Sequence, residues 1–250
     1  MRTLACAMIG ALCAAVTAPA QAQDLRIATE GYYAPFNYFD ETGALVGFDV
    51  DIANALCDEI GAECEIVQND WDALIPGLNE GAYDVIVASM SITAERETLV
   101  AFTLPYYSNM LAFVGPRGTN PATSPEALAG KTVGTQVGTI SADHLAATYG
   151  DGVEAVFFEN QEEAMEALAG GDIDLVLGDN LQLYAWLQTE GGADHEIVGE
   201  FIDIDDRIGI AVRQTDPELL DRLNGALIAI IENGVYQEIN ARYFPFSIYF

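Results

Sequence analysis

Apolar residues occur along the chain either in short continuous runs or at every third or fourth position. Each change from one pattern to the other marks a boundary between predicted secondary-structure elements. Short runs rich in Val and Ile are each followed by a segment in which apolar residues recur every three or four positions, which predicts strands and amphipathic helices. Strands are predicted at 25–29, 66–68, 84–89, 131–137, 153–158, 173–178 and 207–212. Helices are predicted at 51–60, 74–80, from 94 onward, 142–149, 161–169, 181–189 and 217–231. This order is typical of α/β layers around parallel sheets, and because it restarts near residue 131 it predicts two α/β lobes.

A weak internal repeat supports this division. Residues 78–81 and 84–87 are matched ninety positions later by residues 168–171 and 174–177, each pair combining a helix end, a glycine and a buried strand. The match aligns Ser89 with Asp179. Both residues then follow the carboxyl end of a strand, which is where open α/β sheets bind ligands.

The C-terminal region indicates how the lobes are joined. Helix 217–231 carries Leu220, Leu223, Leu227 and Ile231 on one face. If this helix packs on the first lobe, the chain crosses between lobes twice, near 111–115 and near 207–210. The predicted division is 23–110 plus 209–250 for lobe I and 111–208 for lobe II. Two connections restrict such lobes to closing on a hinge around a ligand in the cleft between them.

The first 22 residues have the pattern of a signal peptide, with Arg2, a continuous apolar run at 4–16 and Ala20-Gln21-Ala22 before Gln23. We therefore expect residues 1–22 to be removed and the mature chain to be exported to the periplasm without a lipid anchor. No later apolar run approaches the roughly 18 residues that a membrane span needs.

Removal of the signal peptide leaves two cysteines, Cys57 and Cys64, which we expect to pair in an oxidising compartment. Two free, buried thiols are the alternative, and a metal site is disfavoured because the only histidines that could complete it, His144 and His195, are distant in the sequence. The 39 acidic and nine basic residues give a formal charge of −30, which argues against nucleic acid and against an acidic membrane surface as partners.

The segment ASMSITAERETLVAF, residues 88–102, raises a question about its arginine. Thr93 is a good N-cap for the helix predicted to begin near Ala94, so Arg96 falls in its first turn, where the helix dipole disfavours a cation. Free N–H groups at such a turn attract an anion, and a guanidinium can bind a carboxylate with two parallel hydrogen bonds. One hypothesis is therefore a carboxylate ligand. The other is a surface salt bridge from Arg96 to Glu41, Glu95 or Glu97.

The sequence also resembles a known family, the polar amino-acid-binding proteins of ABC importers (solute-binding proteins, family 3), and within it the lysine, arginine, ornithine and histidine binders. The motifs that carry the resemblance are YAPF at 33–36, LVGFDVD at 45–51, DALIPGL at 72–78, SMSIT at 89–93 with Arg96, VG at 133–134 with GT at 138–139, and Asp179. They span the mature chain in order. The resemblance implies a type II periplasmic-binding-protein fold, a membrane permease as partner, a monomer and a Cys57–Cys64 disulfide.

The resemblance also implies a role for each site residue. Arg96, the backbone around Ser91 and the turn Thr139–Ser141 would bind the α-carboxylate of an amino acid. Asp179 would bind its ammonium, helped by Ser89, and Tyr33 and Trp71 would flank its side chain. The candidate ligand-binding residues are Glu30, Tyr33, Trp71, Ser89, Met90, Ser91, Arg96, Gln136, Thr139, Ile140, Ser141 and Asp179.

Departures from the family pattern leave the ligand open. Glu30 stands where cationic binders commonly have an aspartate, Ala88 where they often have a serine, and Ile140 where threonine or glycine is frequent. The negative charge of Glu30 favours lysine, arginine, ornithine or an arginine derivative. Gln136 and the loss of hydroxyls leave glutamine, histidine or an opine as alternatives.

Two functions other than transport are compatible with this scaffold. An enzyme on this scaffold, such as a periplasmic dehydratase, would need a general acid beside its substrate; Glu30 is available, but charge recognition explains it more simply. The sequence has no Ser-His-Asp order, no GxSxG motif, no phosphate-binding loop and no residues at the spacing of metal ligands. No cofactor is predicted. A sensor input domain is the second alternative function. The lack of a predicted membrane span argues against it.

Overall fold

The computed structural model describes residues 24–119 and 122–249, so the predicted signal peptide lies outside the described residues. In chain order the strands are β1 (Asp24–Thr29), β2 (Tyr32–Tyr33), β3 (Asn37–Phe39), β4 (Leu45–Val46), β5 (Glu63–Gln68), β6 (Val85–Ile86), β7 (Ala101–Phe102), β8 (Tyr107–Pro116), β9 (Thr132–Gln136), β10 (Glu154–Phe158), β11 (Leu175–Asp179), β12 (His195–Ile208) and β13 (Ala211–Val212). The α-helices are α1 (Phe48–Ile60), α2 (Trp71–Glu80), α3 (Ile140–Tyr149), α4 (Gln161–Gly170), α5 (Asn180–Trp186), α6 (Pro217–Glu232) and α7 (Val235–Tyr243).

Two five-stranded sheets form the centres of the two lobes. The first has the order β5-β1-β6-β13-β7 and the second the order β10-β9-β11-β8-β12. In each sheet three neighbouring strands are parallel, a fourth strand pairs with them in antiparallel orientation, and the fifth pairs with the fourth, also antiparallel. The predicted two-lobed α/β fold is thereby confirmed.

The two sheets are joined by two adjacent connections. β7 leads through residues 103–106 into β8 of the second sheet, and the end of β12 leads through residues 209–210 back to β13 of the first. The connections are hydrogen-bonded to each other, because the N–H of Thr103 donates to the carbonyl of Ile210 at 2.9 Å and the N–H of Tyr106 to that of Ile208 at 2.9 Å. Residues 111–115, where a crossing was expected, already pair within the second sheet. The first crossing therefore lies earlier in the chain.

The C-terminal helices pack on the first lobe. Leu219, Leu223, Leu227 and Ile230 of α6 share one buried cluster with Leu25 and Ile27 of β1 and with residues of α1. Of the predicted face, Leu223 and Leu227 are buried, whereas Leu220 and Ile231 are half-buried at its margin. Burial of this face explains why the chain returns to its first sheet. Pro217 begins α6, where its missing N–H costs nothing, and the side chain of Asp216 caps the helix.

Cys57 and Cys64 form a disulfide that links the last turns of α1 to β5. This confirms the predicted pairing and excludes the alternative of two free thiols. No α-helix within the described ranges combines the length and hydropathy that crossing a membrane would require.

Several elements differ from the predictions. The helix expected from residue 94 is only a 3-10 turn, Arg96–Thr98, because Ala101 and Phe102 pair with β13 and the chain must extend to reach it. The long strand β8 and most of β12 were not predicted, and the single strand predicted at 207–212 is divided between the end of β12 and β13 by the crossing at 209–210. β12 is an edge strand with bulges, and its mixture of exposed and buried positions shows no regular alternation.

Candidate ligand-binding cleft

One cavity brings together nearly all of the predicted site residues. It is lined by Glu30, Tyr33, Trp71, Ala88, Ser89, Ser91, Arg96, Gln136, Thr139, Ile140, Ser141, Gln161 and Asp179. These residues come from both sheets and lie at or beyond the ends of strands. Met90 is the one candidate outside this set. Its side chain is buried in the first lobe in a cluster with Leu74 and Ile86, and the residue lines a smaller neighbouring hollow with Trp71 and Arg96.

Arg96 has neutral partners. Its guanidinium donates to the carbonyl of Ser91 at 2.9 Å and to that of Gly138 at 3.1 Å. Within the described part of the chain, no salt bridge joins Arg96 to Glu41, Glu95, Glu97 or any other carboxylate. Burial lowers the pKa of the guanidinium, and nearby acids, Asp206 first, oppose that shift. The salt-bridge hypothesis for this arginine is therefore wrong.

Trp71 and Arg96 meet the second lobe at the same atom. Trp71 begins α2, and its indole N–H donates to the carbonyl of Gly138 at 3.1 Å. The guanidinium carbon of Arg96 lies 5.1 Å from the centre of the Trp71 ring, within the range of a cation–π contact. Gly138 adopts a φ of +70°, and an added Cβ would lie 2.8 Å from Oδ1 of Asp72. The positive φ and the close approach to the first lobe therefore both favour a glycine at this turn.

The helix N-terminus at the cavity belongs to α3, not to the segment after Thr93. α3 begins at Ile140, two residues earlier than predicted, with Thr139 as its N-cap. The Thr139 hydroxyl accepts a hydrogen bond from the N–H of Ala142 at 3.3 Å and donates to the carbonyl of Gln136 at 2.8 Å. The first N–H groups of a helix have no partner within the helix and attract anions. Those of Ile140 and Ser141 lie at the cavity, together with Arg96.

Asp179 ends β11 and contacts Tyr33 across the lobes. The Tyr33 hydroxyl donates to Oδ2 of Asp179. Burial raises the pKa of the Asp179 carboxyl, the neighbouring Asp206 raises it further, and the hydrogen bond from Tyr33 opposes both. Burial likewise raises the pKa of Asp206, which accepts a hydrogen bond from Asn109 at 3.3 Å. Two buried carboxylates of this kind favour a cationic partner.

Glu30 is the second carboxylate of the cavity. It follows β1 and is only 3% exposed, and its Oε1 accepts a hydrogen bond of 2.5 Å from Nε2 of Gln136 in the other lobe. Burial raises the pKa of Glu30 to about 7, with smaller contributions from Asp70 and Asp72 and an opposing one from Gln136. A cation beside Glu30 would restore its ionised form, since it would replace the hydration that burial removes.

Ser89 has its hydroxyl already engaged. Its Oγ donates to Oδ2 of Asp49 at 2.9 Å, and Asp49 also accepts from Asn37 at 2.8 Å and from Tyr106 at 2.6 Å. Ser89 adopts a φ of +52°, which is unusual for a residue with a side chain. Because the hydroxyl holds this turn, the carbonyl of Ser89 is the group left to meet a ligand.

An acidic hollow adjoins the cavity. It shares Glu30 and Trp71 with the cavity and is further lined by Asp70, Asp72, Glu159 and Glu163. A concave surface that carries charge of one sign attracts ligands of the opposite sign. Among the described residues, no group of three or more His, Cys, Asp or Glu side chains is arranged to hold a metal ion.

The sequence prediction missed two contributors to the cleft. Gln161 lines the cavity, and its place at the start of the helix that follows predicted strand 153–158 was the signal that could have identified it. The Gly138 carbonyl was also missed as an acceptor, because no sequence pattern shows where a backbone oxygen points.

Comparisons with known proteins agree on one family. The sequence profile of the bacterial extracellular solute-binding proteins, family 3, matches residues 25–246. The chain is 37% identical over 252 residues to the L-arginine-binding protein of Pseudomonas aeruginosa, with 97% of each chain covered. It is 31% identical over 248 residues to the lysine/arginine/ornithine-binding periplasmic protein of Escherichia coli, covering 97% of this chain and 95% of that protein. Its fold is similar to that of an ancestral arginine-binding protein bound to arginine, with a TM-score of 0.83, 38% identity, and 88% and 98% of the two chains covered.

Proposed function

Because the chain belongs to the bacterial extracellular solute-binding proteins of family 3, we propose that it is the periplasmic binding component of an ABC importer and that it captures a cationic amino acid. The mature chain acts as a monomer that delivers its ligand to a membrane permease. The two lobes that close on the ligand are built on the two sheets, and the chain crosses between them at residues 103–106 and 209–210.

The charge pattern of the cavity carries the proposal. One guanidinium, that of Arg96, and two carboxylates, those of Glu30 and Asp179, line the same cavity. A free cationic amino acid has the complementary set, one carboxylate and two cations. We assign the α-carboxylate to Arg96 and the N-terminus of α3, the α-ammonium to Asp179, and the side-chain cation to Glu30. This pairing neutralises every charged group of the cavity and of the ligand.

Arginine, lysine and ornithine fit this pattern, and arginine is favoured by the relatives that the chain resembles. Tyr33 and Trp71 supply aromatic surface for an extended cationic side chain. Glutamine is the second candidate, because Gln136 already satisfies Glu30 with an amide group that resembles the glutamine side chain. A glutamine ligand would be favoured only where Glu30 is protonated.

Binding rather than catalysis is the role we assign to Glu30. The carboxylate has a raised pKa, as a general acid would, but its partner is an amide of the opposite lobe, and the relatives in the comparisons are binding proteins.

Isothermal titration calorimetry on the mature protein tests the proposal. Arginine, lysine, ornithine, histidine, glutamine and an opine are titrated in turn at pH 8, and at least one cationic amino acid should bind at least tenfold more tightly than glutamine. Equal or tighter binding of glutamine would overturn the cationic assignment. Product formation during incubation with any ligand would overturn the assignment as a binding protein.

A further inference from the structure

Gln161 lies where two neighbouring strands of the second lobe separate. β9 and β11 are parallel, and their register pairs Leu175 with Val133 and Val176 with Gly134. Beyond these pairs, β9 continues to Gln136 along β10, whereas β11 continues to Asp179 along β8. The two strand ends that carry predicted site residues are therefore held by different neighbours.

The carboxamide of Gln161 bridges this gap. Gln161 is the first residue of α4 and is 3% exposed. Its Oε1 accepts from the N–H of Gln136 at 3.2 Å, and its Nε2 donates to the carbonyl of Leu177 at 3.3 Å. One side chain thus supplies to both strands the hydrogen bonds that they no longer make with each other.

Gly178 shows how closely the amide fits. A Cβ added at Gly178 would lie 2.4 Å from Nε2 of Gln161, which is well inside van der Waals contact. The φ of Gly178 lies outside the left-handed region, so its backbone conformation does not require a glycine. The absence of a side chain at residue 178 is explained by the space that Gln161 occupies.

From this geometry we infer that Gln161 is a positioning residue, which sets the spacing between the Gln136–Thr139 turn and Asp179. The inference rests on the proposed function, since that turn leads into the carboxylate site on α3 and Asp179 is the ammonium site. The α-carbon groups of the ligand lie between the two. Gln161 therefore acts on the part that all amino-acid ligands share, whereas Glu30 acts on their side chains.

Replacement of Gln161 by methionine, which has a similar shape and no amide, tests this assignment. The Kd values of arginine and lysine should both rise about tenfold, because two hydrogen bonds are lost, and their ratio should stay the same. Gln188→Met is the matched control. Gln188 is an exposed glutamine of the same lobe whose amide donates only to the Tyr184 carbonyl, at 3.3 Å, and its replacement should leave both Kd values unchanged. Unchanged Kd values in Gln161→Met, or a change for one ligand alone, would overturn the inference.

Two further measurements keep the test decisive. Hydrogen exchange at the backbone N–H of Gln136 measures the bridge in the absence of ligand. It should be faster in Gln161→Met than in the wild type, and an unchanged rate would overturn the inference. If the wild-type protein binds none of the amino acids, the proposed function fails, while the exchange rate still decides whether the bridge exists.

If Gln161→Met does not fold, Gly178→Ala is compared in the wild-type and Gln161→Ala backgrounds. The added methyl group should weaken binding in the wild type and have little effect beside Ala; an equal effect in both backgrounds would contradict the inference.

Discussion

The guanidinium of Arg96 lies over the indole ring of Trp71, and both side chains donate to the carbonyl oxygen of Gly138. Arg96 and Trp71 belong to the first lobe and Gly138 to the second, so this contact forms only when the lobes meet. The positive charge is supported by an aromatic face and by carbonyl dipoles, but it has no carboxylate partner among the described salt bridges. A ligand carboxylate would provide the missing opposite charge.

Replacement of Arg96 by alanine should weaken arginine binding by about 3 kcal/mol, or roughly 100-fold, because a desolvated carboxylate loses its charged partner. Arg96→Lys should recover only part of the loss, since an ammonium cannot donate two parallel hydrogen bonds. Calorimetry measures both. An Arg96→Ala protein that binds arginine as tightly as the wild type would contradict the assignment.

Replacement of Glu30 by glutamine should selectively weaken cationic ligands. We expect a loss of about 2 kcal/mol for arginine and lysine and little change for glutamine. Glu163→Gln removes the same charge from the acidic hollow, where Glu163 is exposed, and should alter mainly the association rate. If Glu30→Gln weakened neutral and cationic amino acids equally, Glu30 would not recognise the side chain.

Arginine affinity should fall as the pH is lowered through about 7. The cation binds the ionised form of Glu30, whose pKa in the ligand-free cavity is raised to about 7 by burial, so binding below that pH must release a proton. Asp179, whose pKa is also raised, acts in the same direction. Each proton released reduces the affinity by up to about tenfold per pH unit. Titrations between pH 5 and 8 should show this slope, and Glu30→Gln should reduce it. A flat profile in the wild-type protein would rule out a proton-linked Glu30.

Replacement of Gly138 by alanine should impair closure of the lobes. The new Cβ would meet the Asp72 carboxylate at 2.8 Å and would displace the carbonyl that accepts from Trp71 and Arg96. Gly43→Ala is the matched control, because Gly43 has a similar φ of +81° but no atom within 4 Å of an added Cβ. Both variants should lose about 1 kcal/mol of stability from backbone strain. Only Gly138→Ala should also lose arginine affinity. Equal affinities for the two variants would show that the Gly138 contact does not support closure.

Replacement of Asp49 by asparagine should destabilise the first lobe by about 2 kcal/mol. Asp49 accepts hydrogen bonds from Asn37, Ser89 and Tyr106. The NH2 group of an asparagine can only donate, so it would face at least one of these donors without forming a hydrogen bond. Urea unfolding of the ligand-free protein measures the loss. Asp40→Asn, at a turn with only local hydrogen bonds, is the comparison and should have a smaller effect. If Asp49→Asn unfolded at the same urea concentration as the wild type, the hydrogen bonds to Asp49 would not stabilise the first lobe.

The sequence predicted the fold wherever burial controls the pattern. The strands at 25–29 and 173–178 and the helix at 217–231 bury regular apolar positions, and the structure places them within a few residues of the predicted bounds. β12 escaped prediction because an edge strand has one side in solvent, and its bulges break the alternation. The helix expected after Thr93 failed for another reason. Its local propensity is outweighed by the pairing of Ala101 and Phe102 with β13, a partner more than a hundred residues away.

The site was predictable as a set of side chains but not as an arrangement. Charged and aromatic residues next to strand ends can be found by inspection of the sequence, and the structure places Glu30, Arg96 and Asp179 around one cavity. Contacts through the backbone cannot be found in this way. The Gly138 carbonyl and the bridge from Gln161 to Gln136 and Leu177 depend on how turns and strand ends are oriented in three dimensions.

The paired connections between the lobes have a consequence for the permease. Residues 103 and 106 are hydrogen-bonded to residues 210 and 208, so the two connections bend together and the lobes cannot rotate independently about a single strand. Relative motion of the lobes would then require both connections to bend at once, which limits it to opening and closing of the cleft. A membrane partner that touches both lobes could therefore recognise the closed cleft from the relative position of the lobes, without contacting the ligand.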